Sequence, residues 1–335
     1  MKVLFIGGTG NISTPVSELA LASNMDLYLL NRGKTQTKPV PKGAKTLTAD
    51  ITNPDEVKKA LGDLKFDCVV NWVAFTPDEI ERDVEHFKGR TEQYIFISSA
   101  SAYQSPPTDP FITESTPLQN PFWEYSRDKI ACEERLMQAY REEGFPGTIV
   151  RPSHTYDTVI PIAVGNWDYS IAARMQRGKK IIVHGDGTAL WVLTHARDFA
   201  KGFVGLIGNP RAIGHDFHIT SDEVLTWNQV YRIVADALGV DAEFIHIPTE
   251  YIGKYDQFTY DNLMGDKAVS VIFDNSKIKH FVPGFEATIS FAEGIRQTLQ
   301  WFDADESRKT VDEAGEKWMD QCVADYEKAL EAAGK

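Results

Sequence analysis

Three groups of residues in this chain have the types and spacing to do chemistry. Gly7-Gly8-Thr9-Gly10-Asn11-Ile12-Ser13 stands between a short apolar run and a helical pattern. Gly7 permits a tight turn, Gly10 lets the backbone approach a pyrophosphate, and the following helix N-terminus offers oriented N–H groups with Thr9, Asn11 and Ile12 beside them. Ser13 occupies the place usually held by a third glycine, so strand and helix should sit slightly farther apart there. Tyr125 and Lys129 form Tyr-x-x-x-Lys at a helix start. That spacing puts both side chains on one face, where the ammonium can lower the phenol pKa toward neutrality and make Tyr125 a proton donor or acceptor. The plainer reading is a surface pair. Ser98-Ser99-Ala100-Ser101-Ala102-Tyr103 follows an apolar run at once, which projects a hydroxyl at the carboxyl edge of a sheet, where ligands of open α/β sheets bind.

The residues after the second apolar run bear on which dinucleotide is read. An acidic side chain at that point accepts from the 2′-hydroxyl of NAD; this chain has Asn31, Arg32 and then Lys34. A guanidinium pairs in bidentate fashion with a 2′-phosphate, so NADP is favoured over NAD. Asp50 and Ile51 are placed for an adenine edge contact and an apolar wall, or else Asp50 serves as a helix cap for Asn53-Pro54.

These groups need elements to position them. Apolar runs at residues 3–6, 26–30, 68–73, 94–97 and 148–150 read as strands, with helical patterns at about 14–23, 55–61 and 125–143. Pro15 falls in a first helical turn that Ser13 or Thr14 can cap. Near-continuous apolar strands are buried on both faces, which predicts an α/β, Rossmann-type doubly wound parallel sheet. The expected division is a dinucleotide-binding domain over residues 1–150, with further sheet elements from about 180–220, and a smaller substrate lobe with C-terminal helices over 151–335. Trp318, Cys322, Tyr326 and Leu330 recur every four residues, an amphipathic terminal helix docked on the body or a partner.

Composition narrows the class. The 335 residues are 42% hydrophobic and 25% charged, the balance of a folded soluble protein, and the formal charge of −13 repels polyphosphates, which argues against nucleic acid. The three cysteines are far apart and form neither a paired framework nor a metal knuckle, and the eight histidines have no metal-ligand spacing, so no metal is expected. With no signal-peptide or membrane-span pattern, the chain reads as cytoplasmic with no membrane partner.

Together the glycine loop, Asp50-Ile51, the strand-end serines, Tyr125-x-x-x-Lys129 and Arg151-Pro152 resemble the short-chain dehydrogenase/reductase superfamily, in its extended epimerase/dehydratase branch. Gly185-Asp186-Gly187-Thr188 through Thr194-His195, Asp198-Phe199-Ala200, and Glu293-Gly294 with Trp301 extend the resemblance over nearly the whole chain. It implies an NAD(P) cofactor and three catalytic roles. Tyr125 would be the acid/base at a substrate hydroxyl, Lys129 would hold the nicotinamide ribose, and Ser99 would hydrogen-bond the reacting oxygen. Trp72, Val73 and Pro152 would line the cofactor, and the branch commonly forms homodimers.

Departures from the branch shape the substrate expectation. Ser99 is followed by Ala100 and Ser101 rather than the acidic pair of sugar dehydratases, so dehydration is not expected. Trp191 stands where nucleotide-sugar enzymes carry an arginine, and Gly265-Asp266 lacks the arginine that commonly precedes it. Trp191, Trp123, Tyr103 and Trp167 imply an aromatic-lined pocket for a carbohydrate-like or other small polar molecule. His154 replaces a common asparagine and could bind substrate or relay a proton. The expected activity is hydride transfer at a hydroxyl or keto carbon, as oxidoreductase or epimerase. The alternative is an atypical, non-catalytic member that binds nucleotide or RNA.

Overall fold

The computed structural model describes residues 1–33 and 38–334; Lys34 lies outside them. Seven strands form one parallel sheet: β1 (Lys2–Ile6), β2 (Asp26–Asn31), β3 (Lys45–Thr48), β4 (Cys68–Asn71), β5 (Tyr94–Ile97), β6 (Gly147–Pro152) and β7 (Asp216–Ile219). Their spatial order is β7-β6-β5-β4-β1-β2-β3. Val3 sits opposite both Leu27 and Cys68, so the order reverses at β1. A crevice opens outside the carboxyl ends at that switch point.

The helices of seven or more residues are α1 (Ser13–Ala22), α2 (Pro54–Leu61), α3 (Pro77–Phe87), α4 (Glu124–Glu143), α5 (Ser170–Gln176), α6 (Ala196–Leu206), α7 (Trp227–Leu238), α8 (Phe291–Asp303) and α9 (Glu313–Ala332). A strand turns alternate side chains to opposite faces. Val3 and Phe5 therefore pack under Val16 and Ala20 of α1 and Phe199 and Phe203 of α6, while Leu4 and Ile6 pack under Val57, Ile80, Val84 and Leu136 of α2, α3 and α4. Both faces are covered, which is why these strands read as unbroken apolar runs.

Several sequence expectations change in detail. Neither Ser13 nor Thr14 caps α1: Ile12 holds the N-cap position with no side-chain cap, and Ser13 Oγ accepts from the Gly10 N–H at 2.8 Å instead. Of the segment expected to extend the sheet, Asp216–Ile219 does so, whereas Ile181–His184 pairs with Phe244–Ile247. The second lobe has its own core of Trp191, Trp227, Tyr231, Phe291 and Cys322, against which Trp318 and Tyr326 of α9 pack. Leu330 is outside that core. Among the described residues no helix is long and apolar enough to cross a membrane.

Candidate functional site

The carboxyl ends of β1, β2 and β4 border a cavity of about 400 Å³ lined by Gly7, Thr9, Asn31, Arg32, Asp50, Ile51 and Val73, with Phe75 and Glu79 from the β4–α3 segment. Its floor is a glycine turn that other residues would block. Gly7 and Gly8 have φ of +92° and +102°, and a Cβ on Gly8 would lie 2.7 Å from Leu29 Cδ2. The uncapped N-terminus of α1 leaves oriented N–H groups beside that turn. Asn11 is spent elsewhere: its amide donates to Thr155 O at 3.1 Å and accepts from the Asp157 and Thr158 N–H groups, tying the loop to the second lobe.

One expected cofactor contact, Trp72, is altered, and the alternative reading of Asp50 as a helix cap fails. The Trp72 ring turns into the core, 5.7 Å from Phe5 and 5.0 Å from Phe203, because odd and even residues past β4 face opposite sides of the sheet. Val73 alone of that pair lines the cavity. Asp50 does not cap α2. Asn53 does, through N–H groups of Asp55 and Glu56, while Asp50 Oδ1 accepts from the Thr52 N–H and hydroxyl at 3.0 and 2.8 Å.

A second cavity of about 230 Å³ adjoins the ends of β5 and β6, and its wall includes Ile12, Ser99, Tyr125, Pro152 and His154. Consecutive parts of one loop thus border both chambers: Gly7 and Thr9 the first, Ile12 the second. Within the strand-end serines the fold separates roles. Ser98 Oγ turns away to Glu133 Oε1 at 2.5 Å, while Ser99 Oγ lies 2.9 Å from Ser101 Oγ and lines the same cavity as Tyr125.

Tyr125 and Lys129 come together, though not as the spacing alone predicts. The Lys129 ammonium lies 5.7 Å from the Tyr125 ring centroid and donates to the carbonyls of Ala74 at 2.6 Å and Ile97 at 2.9 Å. Burial pushes the phenol up to about 12; the neighbouring Ser99 hydroxyl pulls against this and the Asp266 carboxylate adds to it. The expected lowering by Lys129 is therefore corrected: its charge is directed at backbone oxygens. The phenol is protonated at neutral pH and able to donate. An ammonium has three donors, so one N–H of Lys129 lies beyond these two carbonyls. The glycine cradle, the two chambers and this spare donor fit a dinucleotide, which when bound would supply or accept hydride at its nicotinamide.

The substrate side differs most from expectation. Trp123 and Trp167 line the second cavity with His154. Trp191 does not: it is buried behind His154, stacked on Trp227 at 5.5 Å, and its Nε1–H donates to His154 Nδ1 at 3.0 Å. Tyr103 is also withdrawn. Its hydroxyl lies 2.9 Å from His218 Nδ1 and accepts from Arg151 at 3.1 Å, beside a separate void of about 20 Å³. Burial, and then the Lys267 charge, push the His154 pKa well below its ordinary value. The ring is neutral near pH 7, and its Nδ1 already accepts from the Trp191 N–H, which favours a hydrogen-bonding role for the other nitrogen.

Sequence reading missed Asn262 and Lys267 and noted Asp266 without assigning it to the site; all three complete the cavity wall. The cation absent before Gly265-Asp266 arrives just after it, as Lys267. It ends a π-helical turn, Leu263–Lys267, a feature frequent at functional sites and lacking the 3.6-residue period that sequence patterns reveal.

With this geometry in view, comparison with known proteins is direct. The profile described as the NAD dependent epimerase/dehydratase family matches residues 3–220. A 2'-dehydrokanamycin reductase of Streptomyces kanamyceticus is 27% identical over 256 residues, covering 75% of this chain and 70% of the relative. A chloroplast stem-loop binding protein of 41 kDa from Arabidopsis thaliana is 27% identical over 310 residues, covering 88% and 77%. In fold, the chain is similar to an epimerase from Methanothermobacter thermautotrophicus (TM-score 0.74, 16% identity, 91% of this chain and 93% of the other). The same holds for the Thermus thermophilus UDP-glucose 4-epimerase in complex with NAD (TM-score 0.70, 19% identity, 90% and 99%). The family match spans well over half of the 335 residues, and so this chain belongs to the NAD dependent epimerase/dehydratase family, within the short-chain dehydrogenase/reductase superfamily, as an enzyme of that NAD-dependent oxidoreductase type.

Proposed function

We propose that this protein transfers hydride between a nicotinamide cofactor and a hydroxyl or keto carbon of a sugar-like or small polar substrate, with Tyr125 as acid/base, Ser99 as the hydrogen-bond donor to the reacting oxygen and Lys129 on the nicotinamide ribose. The observation that carries this reading is that Ser99 and Tyr125 share the wall of a cavity that adjoins the glycine loop, with the Lys129 ammonium 5.7 Å from the Tyr125 ring centroid. A phenol protonated at neutral pH is ready to donate as carbonyl becomes alkoxide, so the reductive direction suits the residues as they stand. A reductase among the relatives accords with that direction.

NADP is the proposed cofactor form. Arg32 lines the first cavity and Asn31, at the end of β2, offers no carboxylate to oppose a 2′-phosphate. The reading includes cytoplasmic location and a homodimer. What supports catalysis over nucleotide or RNA binding is the grouped Ser99, Tyr125 and Lys129 together with the charge of −13.

The test is Tyr125→Phe. Turnover should fall by about 10²–10⁴-fold while NADPH affinity stays within about twofold. Turnover retained by the variant would overturn the mechanism. Comparing NADPH with NADH in the wild type and in Arg32→Ala tests the cofactor form, the preference for NADPH being lost in the variant.

A further inference from the structure

We propose that the cavity beside Tyr125 takes a sugar ring that carries no nucleotide or phosphate, and that Lys267 and His154 are the donors that select it. This deepens the hydride-transfer reading and rests on it.

Charge comes first. Among the described residues that line the cavity, Lys267 and Asp266 are the charged ones, and they pair with each other at 2.9 Å. Their formal charges cancel. A diphosphate needs uncompensated cations or a row of backbone N–H groups, and no second cation lines this wall among the described residues.

Two donors nevertheless belong to residues that line the space. Lys267 is 3% exposed and spends two of its three N–H groups on Asn262 Oδ1 at 2.7 Å and Asp266 Oδ2. His154 is 4% exposed and its Nε2 has no partner. Because Trp191 donates to Nδ1, the proton of the neutral ring must sit on Nε2. His154 is thereby held as a donor, and a buried donor without an acceptor is costly. An acceptor oxygen of a ligand relieves that cost at His154 and meets the spare Lys267 N–H.

The remaining walls are aromatic. The Lys267 ammonium lies 5.7 Å from the Trp123 ring centroid and 6.0 Å from that of Trp167. One face of Trp167 is covered by the His154 ring at 4.2 Å, yet the residue stays 38% exposed. A pyranose has weakly positive C–H faces that suit the negative face of an indole, and a rim of hydroxyl oxygens that suit Lys267 and His154. A space of about 230 Å³ suits one such ring.

The experiment measures binding, separately from turnover, on NADP⁺-loaded protein by saturation-transfer NMR and tryptophan fluorescence. The probes are a panel of methyl hexopyranosides and UDP-glucose. At least one glycoside should bind, with UDP-glucose no tighter than about tenfold beyond it. Lys267→Met and His154→Phe should each weaken that glycoside about tenfold or more, while His154→Gln, which keeps a side-chain N–H donor, stays within about threefold. NADP⁺ affinity and melting temperature report whether each variant folds. The proposal is overturned if no glycoside binds, if UDP-glucose binds more than a hundredfold tighter, or if folded Lys267→Met and His154→Phe bind like wild type. Tyr125→Phe separates the two readings: full turnover with the binding pattern intact would remove the mechanism and leave this proposal standing.

Discussion

Lys129 Nζ donates to the carbonyl oxygen of Ile97, the last residue of β5, at 2.9 Å. With the bond to Ala74 O, this holds the ammonium between the ends of β4 and β5, one residue before the strand-end serines begin. The lysine is thus positioned by the sheet edge rather than by Tyr125, and burial lowers its pKa to about 8.

That lowered value predicts a pH effect with a definite sign. The folded lysine releases its proton near 8, whereas the unfolded one holds it to about 10.4. Between those limits the unfolded state binds more protons, so wild type gains stability as pH rises. Relative to Lys129→Met, the gain should be about 3 kcal/mol between pH 8 and 10.5. Urea unfolding of both proteins across that range checks it; a constant difference would show that the ammonium is not desolvated.

Acid should loosen the fold before carboxylates titrate. Burial lowers His184 and His218 to about 4 and His154 well below its ordinary value. Below about 6.5 the unfolded chain takes up protons that these rings refuse, so stability present above 6.5 is lost as pH falls toward 4. Each ring contributes a slope of about 1.4 kcal/mol per pH unit. Urea midpoints at pH 7, 6 and 5 should fall steeply for wild type and less for His184→Gln, and a flat wild-type profile would refute the account.

The glycines of the first turn should differ in what they tolerate. Gly8→Ala meets both a left-handed φ of +102° and Leu29 Cδ2 at 2.7 Å, whereas the nearest atom to a Cβ on Gly10 is Ser13 Oγ at 3.3 Å. Gly8→Ala should lower stability by about 2 kcal/mol or more. Gly10→Ala should keep the fold and weaken the dinucleotide. Thermal unfolding with NADPH titration separates the two outcomes.

A buried ion pair under the site should be costly to break from one side. Arg151 donates to both Glu133 oxygens at 2.8 and 2.5 Å and pairs with Asp216 at 2.7 Å. Glu133→Leu leaves that guanidinium short of its partner and should cost about 3–5 kcal/mol, while Glu133→Leu with Arg151→Met should recover much of the loss. Equal losses in the single and double variants, by chemical denaturation, would contradict this.

Much of the site was legible in the sequence because parallel α/β architecture writes itself locally. Buried strands appear as short apolar runs, so the residues following them, Gly7, Asn31, Val73 and Ser99, are assigned to one sheet edge without any long-range contact. Spacing by four placed Tyr125 and Lys129 on a shared helix face, and did the same for the Trp318, Cys322 and Tyr326 stripe that packs on the second core. What only the tertiary structure decided is where side chains point and which charges they feel. Trp191 and Trp167 are indistinguishable as letters, yet one is a buried brace for His154 and the other an open wall. The Tyr125 phenol rises rather than falls because burial raises it, while the Lys129 ammonium is turned to two carbonyls far away in sequence. Lys267 reaches the cavity from a π-helical turn more than a hundred residues beyond Tyr125. Hydrophobic periodicity is a local property of the chain, whereas a pKa or a side chain's partner depends on atoms that the fold alone brings together.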